Sequence, residues 1–215
     1  MGRMILIGHY DSPFVRRVAI ALTLYGIAFE HRAWSVFGDA DKIAPFNPLR
    51  RVPTLLLDDG EVLIESAAIL DALDEMAGEA KALVPARGAG RRRVLKLCAL
   101  GAGMADKAVS LVYERVLHDR ATPAWVDRCR GQVEAVLDVL EAERAKTAGT
   151  WWFGDAFTHG DIMIACALRF ISEAHPEVFD LSAWPALSAH AARCEAMAAF
   201  QSVVQPFFVS PVART

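Results

Sequence analysis

The stretch VPTLLLDDGEVLIES, residues 52–66, decides how the first half of this chain is read. Two apolar runs, Thr54 to Asp58 and Glu61 to Ile64, flank Asp59-Gly60. An Asp-Gly pair supplies the positive φ values that a tight hairpin turn requires, so the runs are read as antiparallel strands. Upstream, Met4 to Gly8 is a short Ile-containing run with the character of a buried strand, and Ala28 to Trp34 reads as another. Between them Ser12-Pro13 opens a helix, because Ser is a favoured cap and Pro suits the first helical position. Val15, Val18, Ala19, Leu22 and Tyr25 then recur at helical spacing up to Gly26, a natural stop. A helical stretch follows around Asp39 to Ala44. Beyond the hairpin Ser66 starts a helix through Met76, with apolar positions at Ile69, Leu70, Leu73 and Met76. A parallel pair followed by an antiparallel hairpin predicts a mixed four-stranded sheet packed by helices.

After Met76 the pattern changes. Gly78, Pro85, Gly88 and Gly90 break up a segment that reads as a linker. From Arg91 to Leu117, Asp127 to Lys146, Thr158 to Ser172 and Pro185 to Phe200 the periodicity is helical, and no strand signal returns before the apolar tail Phe207-Phe208-Val209. The expected organisation is an α/β domain over residues 1–77, a linker over 78–90 and an all-helical bundle domain over 91–215. No internal repeat or low-complexity tract is evident.

Composition narrows the function classes. A net charge of −3 gives no global bias toward nucleic acid or an anionic membrane. The one dense basic run, Arg91-Arg92-Arg93, reads as a solvated helix entrance. Cys98, Cys129, Cys166 and Cys194 are widely spaced, with no C-x-x-C pair, a spacing that does not offer the close ligand set zinc needs, so no metal site is expected. Each lies in an apolar helical stretch, where a buried free thiol is the default and a reducing compartment is implied. Met1-Gly2-Arg3-Met4 leads straight into a strand and lacks the features of a secretory signal, and no apolar run reaches the length of a membrane span. The expectation is a soluble, cytoplasmic protein without membrane or nucleic-acid partners.

Three short motifs carry a family resemblance: Ser12-Pro13-Phe14-Val15-Arg16-Arg17-Val18 after the first strand, Val52-Pro53-Thr54-Leu55 before the hairpin, and Glu65-Ser66 after it. With the helical second half, they resemble the glutathione S-transferase superfamily, especially its bacterial serine-type members, over essentially the whole chain. The resemblance implies an N-terminal thioredoxin-like domain that binds glutathione, a C-terminal helical domain, a homodimer, and a detoxifying transfer of the glutathione thiolate to small electrophiles.

Each implied site residue also has a plain physical reading. In the resemblance Pro53 is a cis-proline and the backbone of Val52 faces the extended tripeptide, pairing with it as an added strand; otherwise Pro53 is an ordinary trans proline opening a strand. Ser66 and its helix N-terminus are implied to receive the γ-glutamyl carboxylate, where free N–H groups and the helix dipole favour an anion. Glu65, Arg51 and Tyr10 are implied to help hold the same ligand. Read alone, Ser66 is a helix cap and Glu65 a solvent-facing residue at a strand end.

Ser12 is implied to carry the chemistry. A hydroxyl that donates to sulfur favours the thiolate, and the N-terminus of the helix adds positive potential at the same place; the plainer reading is that Ser12 only caps its helix. Tyr10 is the rival, since other members use a tyrosine near the end of the first strand. A hydroxyl cannot exchange with a disulfide, so the thiol-reductase chemistry of members with Cys at this position is disfavoured. A glutathione-dependent isomerase, as in maleylacetoacetate conversion, resembles Ser-Ser-Cys at this turn, where this chain has Asp11-Ser12-Pro13. A non-catalytic glutathione-binding or protein-interaction member is the other alternative. By resemblance, Tyr10, Met104, Tyr113 and Phe208 are candidates for the electrophile pocket.

In the second half Phe157-Thr158-His159-Gly160-Asp161-Ile162 reads as a capping box between Thr158 and Asp161, stapled by Phe157 and Ile162. Its role is in folding, and Asp161 is not a catalytic candidate. Trp151-Trp152-Phe153 reads as packing beneath that helix, and His159 as a surface residue.

Overall fold

The computed structural model describes residues 3–209; residues 1–2 and 210–215 of the expected domains lie outside it. The chain divides into two compact units. One runs to Ala86 and takes back the chain from Ala198 onward, and the other spans Arg87–Met197.

The first unit holds β1 (Met4–Ile7), α1 (Pro13–Tyr25), β2 (Phe29–Arg32), α2 (Ala40–Ile43), β3 (Thr54–Leu56), β4 (Val62–Ile64), α3 (Ser66–Ala77) and α8 (Ala198–Gln201). Its sheet has the order β2-β1-β3-β4. β1 and β2 are parallel, with Met4 opposite Phe29, and α1 supplies the crossover that a parallel pair needs. β3 runs antiparallel to β1, Leu6 facing Leu55, and antiparallel to β4, Leu55 facing Leu63. Leu6, Ile7 and Leu55 of the sheet, Val15, Val18 and Leu22 of α1, and Ile69 and Leu73 of α3 are buried completely. Met76, expected on the same face, is 47% exposed in the last turn of α3.

The hairpin connection is one residue longer than a two-residue Asp-Gly turn. Leu57 N–H donates to Glu61 at 2.8 Å and Gly60 N–H to Leu57 at 3.1 Å, leaving Asp58-Asp59-Gly60 as the loop. Gly60 at φ 93° holds the left-handed position that closes such a loop.

The helical unit comprises α4 (Gly88–Leu117), α5 (Pro123–Ala145), α6 (His159–Ala174), a 3₁₀ turn (Leu181–Ala183) and α7 (Pro185–Glu195). Residues 162–168 of α6 are buried without interruption, the signature of a helix at the centre of a bundle. The capping box at its start is formed: Thr158 Oγ accepts from Gly160 N–H at 3.2 Å, and Asp161 accepts from Thr158 N–H at 2.9 Å. Phe157 stacks edge-on against Trp151. Trp152 is buried, as expected of packing under the helix.

Two expectations fail here. His159 is 3% exposed, not a surface residue, because α6 is enclosed from its first turn. The helix expected over 185–200 ends at Glu195, and the chain from Ala198 joins the first unit rather than the helical one. Arg16 explains that return. Its guanidinium is 2% exposed within α1, donates from Nε to Val203 O at 3.0 Å and from Nη2 to Phe200 O at 3.2 Å, and lies over the Phe200 ring.

Candidate active site

Ser12 stands at the N-cap of α1 with extended backbone, φ −68° and ψ 122°, and Pro13 follows at the first helical position. Its Oγ accepts from Val15 N–H at 3.4 Å, and its carbonyl accepts the first helical bond from Arg16 N–H at 2.9 Å. The side chain is only partly buried. The cap engages a lone pair of the hydroxyl and leaves its proton to donate elsewhere, so the two roles do not compete.

The turn before Ser12 is set by Gly8, at φ 128°. A Cβ there would lie 2.5 Å from Val15 Cγ2 and 2.8 Å from Val52 Cβ. Glycine at this point therefore lets the end of β1, the first turn of α1 and the Val52 backbone come together. The Val52–Pro53 peptide is cis, as the resemblance implies, and Pro53 is buried.

Asn47, which the sequence reading passed over, pins this segment. It is 2% exposed, and its Nδ2 donates to Arg51 O at 3.0 Å and to Thr54 Oγ1 at 3.1 Å, while its Oδ1 accepts from Leu49 N–H. Thr54 Oγ1 in turn donates to Arg51 O at 3.1 Å. Asn47 sits before Pro48, and that dipeptide was the available signal, although it marks any turn.

Arg51 reaches Glu65 with 3.5 Å between Nη1 and Oε1, both side chains more than half exposed. An ion pair in such solvent is worth about 0–1 kcal/mol. Glu65 itself adopts φ 64° and ψ 117°, a conformation few non-glycine residues take. It is Glu65, not Ser66, that occupies the N-cap of α3, and no side chain among the described residues caps that helix. Ser66 is the first helical residue, 4% exposed, and its Oγ accepts from Arg17 Nη2 at 2.5 Å. Strain at Glu65, of order 1–3 kcal/mol, and an uncapped helix start are the kind of local cost found at ligand sites.

Tyr10 stacks flat on His31, with centroids 3.8 Å apart and planes 6° from parallel. Its N–H donates to Gln205 Oε1 at 3.0 Å. Burial pushes its phenol above the ordinary tyrosine range, so Tyr10 stays protonated at neutral pH. His31 is held by its Nε2 contact with Gly8 O at 2.7 Å, and burial lowers its pKa. Phe208 is 60% exposed, and its N–H donates to Asp11 Oδ2 at 3.2 Å, beside the Ser12 turn. Met104 and Tyr113 both lie on α4 of the helical unit, Met104 buried and Tyr113 exposed. The first unit thus assembles Ser12, Val52, Pro53, Arg51, Glu65 and Ser66 through contacts that centre on α1 and the Arg51–Glu65 pair.

Among the described residues, no group of three or more His, Cys, Asp or Glu side chains is placed to hold a metal ion, and no helix is long and apolar enough to cross a membrane.

The family model described as glutathione S-transferase, N-terminal domain, matches residues 6–81, and that described as glutathione S-transferase, C-terminal domain, matches residues 123–193. The GST-like protein YibF of Escherichia coli is 33% identical over 176 residues, covering 79% of this chain and 82% of that protein. A probable maleylacetoacetate isomerase of Vibrio cholerae is 30% identical, covering 93% of this chain and 94% of its own. A solved glutathione S-transferase of Methylobacterium radiotolerans, in complex with glutathione sulfonate, superposes with a TM-score of 0.90 at 29% identity over 99% of both chains.

Proposed function

Because the chain belongs to the glutathione S-transferase family, we propose that it binds glutathione and transfers its thiolate to small, mostly hydrophobic electrophiles, as a serine-type member in which Ser12 activates the sulfur. The observation that carries this reading is the Ser12 hydroxyl at the head of α1, engaged as acceptor by Val15 N–H and so free to act as donor. The glutathione sulfonate complex of the Methylobacterium radiotolerans transferase supports the choice of ligand.

In this reading the extended tripeptide pairs along the Val52 backbone, and its γ-glutamyl carboxylate meets Ser66 and the N–H groups that open α3. Glu65 and Arg51 border that end of the ligand. The thiol loses its proton to water. The Ser12 proton and the N-terminus of α1 then hold the resulting anion. Lowering the thiol pKa by about two units requires roughly 2.7 kcal/mol. A charge-assisted hydrogen bond supplies about 1.5–3 kcal/mol and the helix dipole about 0.3–1 kcal/mol, a combined range that brackets the requirement. The sulfur lone pair forms the bond to carbon, and the leaving group departs with the electrons of the bond it breaks. In the first unit, Tyr10 and Phe208 are our candidates for electrophile contact. The protein works as a cytoplasmic homodimer in detoxification.

The test is the ultraviolet absorbance of the glutathione thiolate on titrating the protein with glutathione near neutral pH. A thiolate band in the wild type that disappears in Ser12→Ala supports the reading. Binding without the band in the wild type leaves a glutathione-binding protein that does not activate its ligand.

A second reading, a glutathione-dependent isomerase, is favoured by the 30% identity to the Vibrio cholerae protein. An isomerase adds glutathione and eliminates it again, so turnover of maleylacetoacetate with no net loss of thiol identifies it. Net consumption with an aryl halide identifies the transferase.

A further inference from the structure

We propose that Arg17 is a positioning residue for the anion-binding end of the glutathione site, acting through Ser66. The inference rests on the reading above, in which Ser66 meets the γ-glutamyl carboxylate.

Arg17 lies in the interior of α1, five residues after Ser12, and is 3% exposed. A guanidinium loses strong hydration on burial, so the fold places it there against a defined partner. That partner includes Ser66 Oγ, at 2.5 Å from Nη2 and from another helix. Guanidinium groups only donate, so Ser66 Oγ is the acceptor in this bond. Two consequences follow for the start of α3. The lone pair taken by Arg17 fixes the hydroxyl rotor, and its proton is directed away from the guanidinium. A hydroxyl that accepts from a cation is also a stronger donor, because the bonds polarise one another. Ser66 is thereby prepared to donate to an anion.

The second consequence is electrostatic. The α3 terminus carries no side-chain cap among the described residues, and Glu65, the N-cap residue, is turned into a positive-φ conformation. Its first-turn N–H groups offer the partial charge of a helix end, roughly half an elementary charge. Arg17 adds a full positive charge one hydroxyl away from that end. Glu65, the acidic residue at the N-cap, is more than half exposed and paired with Arg51. The same helix therefore serves both ends of one ligand: Ser12 at its N-cap for the sulfur, Arg17 one turn later for the carboxylate.

The ligand feature at stake is the α-carboxylate of the γ-glutamyl residue. Cysteinylglycine lacks the γ-glutamyl residue that carries it, so the ratio of glutathione to cysteinylglycine affinity reports on that end of the ligand. Calorimetric titration of the full-length protein with each compound gives that ratio for wild type, Ser66→Ala, Arg17→Gln and Arg17→Lys. We expect the preference for glutathione to fall about 10-fold or more in Arg17→Gln, with cysteinylglycine binding within about 2-fold of wild type. Arg17→Lys keeps the charge but loses the planar fork, and should lower the ratio about 3- to 10-fold. In a Ser66→Ala background, Arg17→Gln should cost less than it does alone.

A purely structural role for Arg17 would weaken both compounds alike, and that outcome overturns the inference. So does an unchanged ratio in a folded Arg17→Gln protein. If the glutamine variant does not fold, the lysine variant decides alone, and an unchanged ratio there overturns it equally. Failure of the wild type to bind glutathione at millimolar concentration sinks the functional reading instead. A ratio lowered by Ser66→Ala but not by the Arg17 variants sinks only the role of Arg17.

Discussion

Ser12 Oγ and Val15 N–H are joined at 3.4 Å across the first turn of α1, so one hydroxyl both closes a helix and keeps its proton. The two functions are separable in energy. Loss of an N-cap costs about 0.5–2 kcal/mol of stability, whereas loss of a donor to an anion costs about 1.5–3 kcal/mol at the step where that anion reacts. Ser12→Ala should therefore lower kcat/KM toward an aryl halide about 10- to 100-fold while the protein unfolds only slightly earlier in urea. Steady-state kinetics and a denaturation curve on the same preparation check both numbers. Equal activity in the alanine variant would return Ser12 to a capping role alone.

Gly8 makes a second prediction, on folding. Its φ of 128° disfavours any side chain, and a methyl group would overlap both Val15 and Val52. Gly8→Ala should destabilise the protein by about 2–4 kcal/mol. It should also weaken glutathione binding, since Val52 must move to make room. Urea unfolding followed by tryptophan fluorescence gives the first quantity and calorimetry the second. A stable variant with wild-type affinity would show that the close approach at Gly8 is not needed.

Much of this arrangement is legible in the sequence, for reasons that can be stated residue by residue. The hairpin is visible because Asp59-Gly60 lies between apolar runs, and only its length is misjudged, since Asp58 was counted into the strand. The heads of α1 and α6 are visible because Ser12-Pro13 and Thr158-x-x-Asp161 are local signals. What escapes is set by distant partners. Helical periodicity assigns Val15, Val18 and Leu22 to the core and says nothing of Arg16 and Arg17 between them. Both are in fact buried, because α1 is covered on more than one side, and their partners stand far along the chain, Val203 and Phe200 for one and Ser66 for the other. The break between α7 and α8 has neither Gly nor Pro to announce it. At the proposed site, Ser12, Pro53, Glu65 and Ser66 are put forward by resemblance. The exchange of roles between Glu65 and Ser66 is not, because both readings place a polar residue before the same apolar face.

Asp161 carries a third prediction. It is fully buried, and its carboxylate accepts from Trp152 N–H at 2.9 Å, Thr158 N–H at 2.9 Å and Thr158 Oγ at 2.8 Å. It therefore holds the head of α6 and the preceding loop in one network. Asp161→Ala leaves two buried backbone donors unsatisfied and should cost about 3 kcal/mol or more. Thr158→Ala removes the cap and one donor to Asp161 but leaves the backbone donors to Asp161 paired, and should cost about 1–2 kcal/mol. The double variant should be less unstable than the sum, because the two side chains share a bond. Additive losses in urea denaturation would show that the box does not act as a unit.

The last prediction concerns acid. His175 and His190 are buried at 3% and 0% exposure. His175 Nε2 contacts Ala108 O at 2.8 Å, with Arg115 and Glu177 as its charged neighbours. His190 lies against Asp161, Cys194, Arg144 and Arg193. Burial lowers the pKa of both below the ordinary histidine value of 6.5. The unfolded chain therefore takes up protons near pH 6.5 while the folded chain does not. Stability is complete above that pH and declines as pH falls below it, by up to about 1.4 kcal/mol per pH unit for each histidine. Asp39, Glu114 and Asp180 have lowered pKa values, so their contribution is lost only at more acid pH, below about 4. The decline between pH 6.5 and 5 thus belongs to the histidines. His175→Gln keeps a donor for Ala108 and removes one titration, and its Tm should fall less steeply than that of the wild type across this range. Parallel Tm profiles for the two proteins would mean that His175 takes up its proton equally in both states, and the burial argument would fail for that residue.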